Sequence, residues 1–255
     1  MKIAIVTGAS SGIGREFVRQ IARKERLDEI WAIARRESRL NELKEEISGT
    51  AIRPIPLDLI KTESIEAVAA LLEEEKPEVR ILVNASGFGK FGTYKDLSLQ
   101  EINDMIDLNC KAAVNLTMIA LPHMNRSGRI IEICSASAFQ PLPGLNIYAA
   151  TKAFLHHYSR ALRWELFPRG IKVMAMCPDW VKTEFFKVAV DTKNGHTVKH
   201  FPFAAKPENV VACALFDSRL GLPVSAYSVA AIHRLGAKFV PHEIIIALWE
   251  ALRRI

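Results

Sequence analysis

Cysteine is scarce in this chain of 255 residues: Cys110, Cys134, Cys177 and Cys213 are far apart and form no CxxC pair. That spacing argues against a disulfide framework and against a cysteine zinc site, and no metal site is expected. Each thiol sits in an apolar stretch and is expected to be buried and free. No apolar run reaches membrane-spanning length, so no integral membrane segment is expected. The opening MKIAIVTGAS reads as a strand, not as a leader, so no signal peptide is expected and the location read from these features is cytoplasmic. There is no basic tract either. The net charge of +6 comes from scattered residues, which disfavours a nucleic-acid partner and fits a site for a small anion. With no internal repeat, low-complexity tract or linker, residues 1–255 read as one domain.

Six short runs rich in Ile and Val are present: KIAIVTG, EIWAIA, IRPIPLD, RILVNAS, GRIIEICS and IKVMAMCP. None alternates strictly between apolar and polar, as expected for strands covered on both faces. Helical spacing fills the gaps, with Ile13, Phe17 and Ile21 on one face and Leu40, Leu43 and Ile47 on another. Strand and helix in alternation predict an α/β fold with a parallel sheet and right-handed crossovers. The pattern stops at Asp179. The stretch to Pro207 is rich in Phe and holds Asn194-Gly195, which predicts a long loop acting as a lid over residues 179–207. A short strand, LPVSAY, and a helical extension over 228–255 follow.

The first strand ends in TGASSGIG, residues 7–14, and a helix follows at once. Gly8, Gly12 and Gly14 allow a tight turn and a close backbone approach. With Ser10, Ser11 and Ile13 they form a cradle at a helix N-terminus, where free N–H groups favour a pyrophosphate. An acidic residue at the end of the second strand would hold the ribose of NAD(H). That place carries Arg35 and Arg36 instead. Arginine presents a planar fork of donors that suits a phosphate, so NADP(H) is favoured. The alternatives placed behind it are that Glu37 turns inward and selects NAD(H), or that both arginines are solvated loop charges.

Tyr148 lies four residues before Lys152 in NIYAATKAF, one helical turn apart on one face. A phenol near pKa 10 exchanges protons poorly at neutrality, and a neighbouring ammonium lowers that value. Upstream, EICSASAFQ offers the hydroxyls of Ser135 and Ser137. Alternation along a strand would place both on the same face, with Ser137 lining the pocket.

The TGxxxGxG turn and the YxxxK pair together resemble the classical short-chain dehydrogenases/reductases, over residues 1 to about 190. The resemblance implies a Rossmann-type doubly wound sheet of about seven strands in the order 3-2-1-4-5-6-7. It also implies hydride exchange between NADP(H) and a carbonyl or secondary alcohol, with Tyr148 as acid/base and Lys152 holding the nicotinamide ribose. Ser135, 13 residues before Tyr148, has the family's spacing for the active-site serine. Asn109 is similar to the family's structural and proton-relay asparagine. Asp58 and Leu59 of LDL match the adenine contact. Asn84, Ala85 and Ser86 stand where the family has NNA, and CPDWVKT stands where PGxVxT is usual. Pro178, Val181 and Thr183 then imply nicotinamide contacts, while Asp179 replaces a glycine.

Bulky apolar residues are candidates for the pocket wall: Phe88, Phe139, Leu142, Leu145, Trp180, Phe185 and Phe186, with Ser137 among them. They suit an extended hydrophobic substrate of steroid, bile-acid or acyl-ketone type, or they close the core beneath a long loop. His196 and His200 read as surface residues of that loop, and His156 and His157 as helix residues at a subunit contact. The resemblance implies a homodimer or homotetramer. The terminal VPHEIIIALWEALRRI reads as a basic helix from Pro241 that packs on its own domain or on a second subunit, ahead of a membrane surface.

Overall fold

The computed structural model describes residues 1–193 and 204–253. Seven strands form one parallel sheet: β1 Lys2–Thr7, β2 Glu29–Ala34, β3 Ala51–Pro56, β4 Glu78–Asn84, β5 Arg129–Ile133, β6 Lys172–Met176 and β7 Val224–Ser225. Their order is β3-β2-β1-β4-β5-β6-β7, the order the family resemblance implies. Between and after them run α1 Gly12–Lys24, α2 Glu37–Glu46, α3 Thr62–Glu75, α4 Leu99–Ile106, α5 Ala113–Ala120 and α6 Asn146–Glu165. The chain continues through α7 Phe185–Ala189, α8 Pro207–Leu220, α9 Val229–Phe239 and α10 His242–Leu252.

The strands lack polar alternation because successive side chains enter two different cores. Ala4 and Val6 pack with Phe17, Ile21, Leu40, Leu43 and Val211 on the face covered by α1, α2 and α8. Ile3 and Ile5, from the same strand, pack with Val68, Leu72, Leu116 and Leu162 on the face covered by α3, α5 and α6. The central strands β1, β2, β5 and β6 are buried on both faces over most of their length, so their positions there take apolar or internally bonded side chains, whereas the edge strand β3 exposes Ala51 and Pro56.

Strand order reverses between β1, which pairs with β2, and β4, its other neighbour. Chains leaving β1 and β4 at their carboxyl ends diverge there, and a crevice opens at that switch point. Ser135 does not lie on a strand. β5 stops at Ile133, and Ser135 caps a 3₁₀ turn, Ala136–Phe139, so strand alternation does not govern Ser137.

Cys110, Cys134 and Cys177 are buried and Cys213 is half-buried, and all four thiols are free. His156 is half-buried on α6 and His157 is exposed. Among the described residues no helix is long and apolar enough to cross a membrane. His196, His200, Phe201, Pro202, Phe203 and Asn194-Gly195 lie outside the described residues.

Candidate active site

One cleft of about 780 Å³ runs across the carboxyl ends of β1 to β6. At one end is the glycine turn. Gly8 has φ +65° and Gly12 φ +54°, both in the left-handed region that a side chain disfavours. A Cβ on Gly8 would lie 2.7 Å from the Ala85 carbonyl oxygen, and one on Gly14 would lie 2.3 Å from the Gly8 carbonyl oxygen. The turn is therefore closed on itself and on the loop after β4. Thr7 locks this arrangement: its hydroxyl accepts from the backbone N–H groups of Ala85 and Ser86, each at 2.9 Å. Behind the turn, Ser11 occupies the N-cap of α1 without a side-chain cap bond, and the first turn holds no acidic residue. The positive end of the helix thus faces the cleft beside Ser10, Ser11, Gly12 and Ile13, an arrangement that fits a dinucleotide pyrophosphate.

Arg35, Arg36, Asp58 and Leu59 border the same end. Arg36 is engaged: it donates to the Ser10 hydroxyl at 3.1 and 3.2 Å and pairs with Glu184 at 2.9 Å. Glu184 precedes α7, so this ion pair ties the loop after β6 to the glycine turn. Asp58 accepts from the Ile60 N–H at 3.3 Å. Glu37 is exposed in the first turn of α2.

At the other end, α6 carries Tyr148 and Lys152 and the 3₁₀ turn carries Ser135 and Ser137, all four bordering the cleft. The Ser135 hydroxyl accepts from the Ser137 N–H at 3.1 Å, which leaves its own proton free to donate. Lys152 is buried, and its ammonium donates to the Ile133 carbonyl at 2.7 Å and lies 5.8 Å from the Tyr148 ring centre. The sequence predicts that Lys152 lowers the Tyr148 phenol, but in the structure burial dominates. Burial pushes Tyr148 up to about 12, and a hydrogen bond with Ser135 pulls the other way. Burial also moves Lys152 below the ordinary lysine value, against the raising effect of nearby Cys134, Cys110 and Glu132.

Asn109 lies in a π-helical turn, Asp107–Ala112, between α4 and α5, a feature invisible to apolar periodicity. Its amide donates to the Phe88 carbonyl at 2.8 Å and to Thr151 at 3.0 Å, and its oxygen accepts from the Phe88 N–H at 3.0 Å. Asn109 thus pins the loop after β4 to α6 and does not border the cleft. Asn84 does not border it either. Its amide is spent on the Ala113 carbonyl, Thr117 and Glu132 in the core.

The loop after β6 brings Pro178, Val181 and Thr183 to the cleft. Asp179 closes the backbone there by accepting from the Trp180 N–H at 2.9 Å, while the Pro178 carbonyl accepts from Ala136 at 2.8 Å. Phe88, Leu142, Leu145, Trp180, Phe185 and Phe186 line an apolar wall, with the Tyr148 and Phe185 rings 5.4 Å apart. Phe139 stands apart from this wall. It points into a separate cluster with Cys177 and Leu155 and meets the rings of His156 and His233 edge-on.

Several residues at the site escaped the sequence reading. Gly89 is a glycine because a Cβ would lie 2.7 Å from the Tyr148 ring; Gly87, which ends the NASG stretch already matched to the family, is one because a Cβ would lie 2.8 Å from Asn109 Oδ1. Gln140, His233, Ile245, Leu248 and Trp249 also border the cleft. Trp249 of α10 donates from its indole to the Pro143 carbonyl at 2.8 Å, which packs the terminal helix on its own chain at the cleft mouth. The glycines carry a weak signal in the SGFGKFG run; the C-terminal residues carry none, since their approach is purely tertiary.

A sequence profile described as short chain dehydrogenase matches residues 2–194. An uncharacterized oxidoreductase of Staphylococcus epidermidis is 30% identical over 184 residues, 71% of this chain and 79% of that protein. Sulfoacetaldehyde reductase 2 of Chromohalobacter salexigens is 34% identical over 191 residues, covering 72% of this chain and 74% of the reductase. Among solved structures, a short-chain dehydrogenase from Sphingobium yanoikuyae in complex with NADPH superposes with TM-score 0.80 at 28% identity, covering 93% of each chain. Glycine turn, sheet order and sequence agree: this protein is an oxidoreductase and belongs to the short-chain dehydrogenase family.

Proposed function

We propose that the chain is an NADP(H)-dependent enzyme that interconverts a carbonyl and a secondary alcohol on a hydrophobic substrate. The observation that carries this reading is the convergence of Ser135, Tyr148 and Lys152 on one end of a cleft whose other end is a pyrophosphate cradle. Bound nicotinamide supplies a hydride donor or acceptor. The chain supplies the rest. Ser135 and Tyr148 donate hydrogen bonds to the substrate oxygen, where charge develops. The Tyr148 proton passes from its phenolic oxygen to that oxygen, and the Lys152 ammonium stabilises the phenolate left behind. Lys152, with water and the Asn109 turn, returns the proton. Asn109 also positions the loop carrying Phe88 against α6.

Arg35 and Arg36 at the end of β2 support NADP(H) over NAD(H), as does the NADPH bound by the relative from Sphingobium yanoikuyae. The apolar wall supports a bulky hydrophobic ketone such as a steroid, bile-acid or acyl ketone. A homodimer or homotetramer is supported by the exposure of Trp164 and Phe167 near the end of α6, 71% and 67%.

Stopped-assay oxidation of NADPH and NADH, each with a panel of small and bulky ketones, tests the reading. Consumption of NADPH in preference to NADH with bulky apolar ketones is expected. No oxidation of either cofactor across the panel would leave a dinucleotide-binding protein without this reaction.

A further inference from the structure

The apolar wall is interrupted at one place. Ser137 and Gln140 border the cleft beside His233 of α9, and both are over nine-tenths buried, at 7% and 5% exposure. Among the described residues neither the Ser137 hydroxyl nor the Gln140 carboxamide oxygen has a hydrogen-bond partner. A buried polar atom left without a partner costs about 1–3 kcal/mol, so such pairs are uncommon unless something else completes them. The Gln140 amide nitrogen is already bonded to the His233 ring nitrogen. Turning the amide over would exchange its ends but still leave one of them free.

The charge around this place also discriminates. Burial moves His233 below its ordinary value, with Asp179 opposing, so the imidazole is neutral near neutral pH. Asp179 borders the cleft and is the carboxylate that acts on His233. Among the described residues the lysine and arginine side chains bordering the cleft are Arg35, Arg36 and Lys152, none of which belongs to this group. Lys152 at this end of the cleft is committed to the Ile133 carbonyl, so an anionic substituent would find no side-chain cation within the group itself, whereas a neutral donor and acceptor would be matched.

We infer that Ser137, Gln140 and His233 form a polar subsite for a neutral hydroxyl or amide on the substrate, close to the reacting carbonyl. The inference rests on the proposed carbonyl reduction, and it narrows the substrate from any bulky ketone to a hydroxy- or amide-bearing one. Proximity follows from the turn itself. Ser137 is two residues from Ser135 and its N–H bonds the Ser135 hydroxyl at 3.1 Å. A span of two residues separates the two Cα atoms by at most about 7 Å, so Ser137 sits next to the hydroxyl proposed to hold the carbonyl.

Butyrophenone and β-hydroxypropiophenone differ by one methyl-for-hydroxyl exchange and test this directly. Each is titrated into the protein saturated with NADP+, with tryptophan fluorescence as the signal. The hydroxyketone is expected to bind about tenfold more tightly, one hydrogen bond's worth of affinity. That ratio should fall to about one in Gln140→Leu, and should fall in the milder Ser137→Ala. Equal dissociation constants in the unaltered protein, or a ratio that survives both substitutions, overturns the subsite. Turnover is read separately with NADPH. A binding preference without reduction of either ketone keeps the subsite and removes the proposed reaction. Reduction of both without preference does the reverse.

Discussion

The Lys152 ammonium lies 5.8 Å from the centre of the Tyr148 ring and is held there by a 2.7 Å hydrogen bond to the Ile133 carbonyl. Strand β5 therefore fixes the cation, and α6 fixes the phenol relative to it. Because burial lowers the Lys152 pKa, the ammonium discharges at a lower pH than an exposed lysine would. Below that value it is charged and supports reduction; above it the support is lost. The reductase rate should thus fall on the alkaline side before the ordinary lysine value of 10.5 is reached. In Lys152→Arg the guanidinium stays charged, so whatever rate survives should lack that alkaline fall. A pH profile of kcat/KM in both proteins checks this.

Gly14 packs against the Gly8 carbonyl so closely that a Cβ would sit 2.3 Å from the oxygen. The contact is with backbone, which has no rotamer to yield. Gly14→Ala should open the turn, abolish the fluorescence change on adding NADPH and lower stability by about 1–3 kcal/mol. Gly236 offers the contrast, since it is in α9 and a Cβ there meets nothing within 4 Å. Gly236→Ala should raise stability by about 0.5–1 kcal/mol, as an alanine in a helix interior does. Chemical denaturation of the two variants reads both signs.

Arg36 already serves Ser10 and Glu184, which leaves Arg35 as the less committed cation at the glycine-turn end of the cleft. Arg35→Ala is expected to weaken NADPH binding by about 10- to 100-fold, the worth of a charge-assisted hydrogen bond. NADH binding should be almost unchanged. Titration of both nucleotides decides it, and equal losses for the two would place Arg35 away from the 2′-phosphate.

Glu132 on β5 is fully buried, with one carboxyl oxygen accepting from Asn84 at 2.9 Å and Thr117 at 3.0 Å. Burial pushes it from 4.5 up to about 7, while the bonds from Asn84 and Thr117 and the charge of Lys152 pull it back. The folded value exceeds the unfolded one, so Glu132's contribution to stability is full below pH 4.5 and is lost as pH rises to about 7. The rise corresponds to about 3 kcal/mol. Thermal unfolding of Glu132→Gln should show a gain over the unaltered protein that grows between those pH values and then levels off. A gain independent of pH would mean that Glu132 does not change protonation there.

Most of the fold could be read from the sequence because its signals are local. The Ile- and Val-rich runs mark six strands, and Gly8, Gly12 and Gly14 mark the turn that a dinucleotide requires. The Tyr148 and Lys152 spacing is likewise a one-turn relation within a single helix. Features built by tertiary approach were not legible. Phe139 looked like pocket wall by type, but the 3₁₀ turn directs it into a separate cluster with Leu155. Asn84 reads as a cleft residue by motif, yet its amide is drawn inward by Glu132, a buried acid that no periodicity foretells. His233 and Trp249 reach the cleft from α9 and α10, whose apolar spacing says only that they pack on something.

Substituting the phenolic oxygen alone tests the central claim most directly. In Tyr148→Phe the ring, with its contact to Phe185, is retained and only the proton is removed. With a bulky ketone and NADPH, turnover should fall by at least about a hundredfold, the usual contribution of a positioned general acid. The dissociation constant for NADPH should change little. Turnover close to that of the unaltered protein, with cofactor binding intact, would contradict Tyr148 as the proton donor.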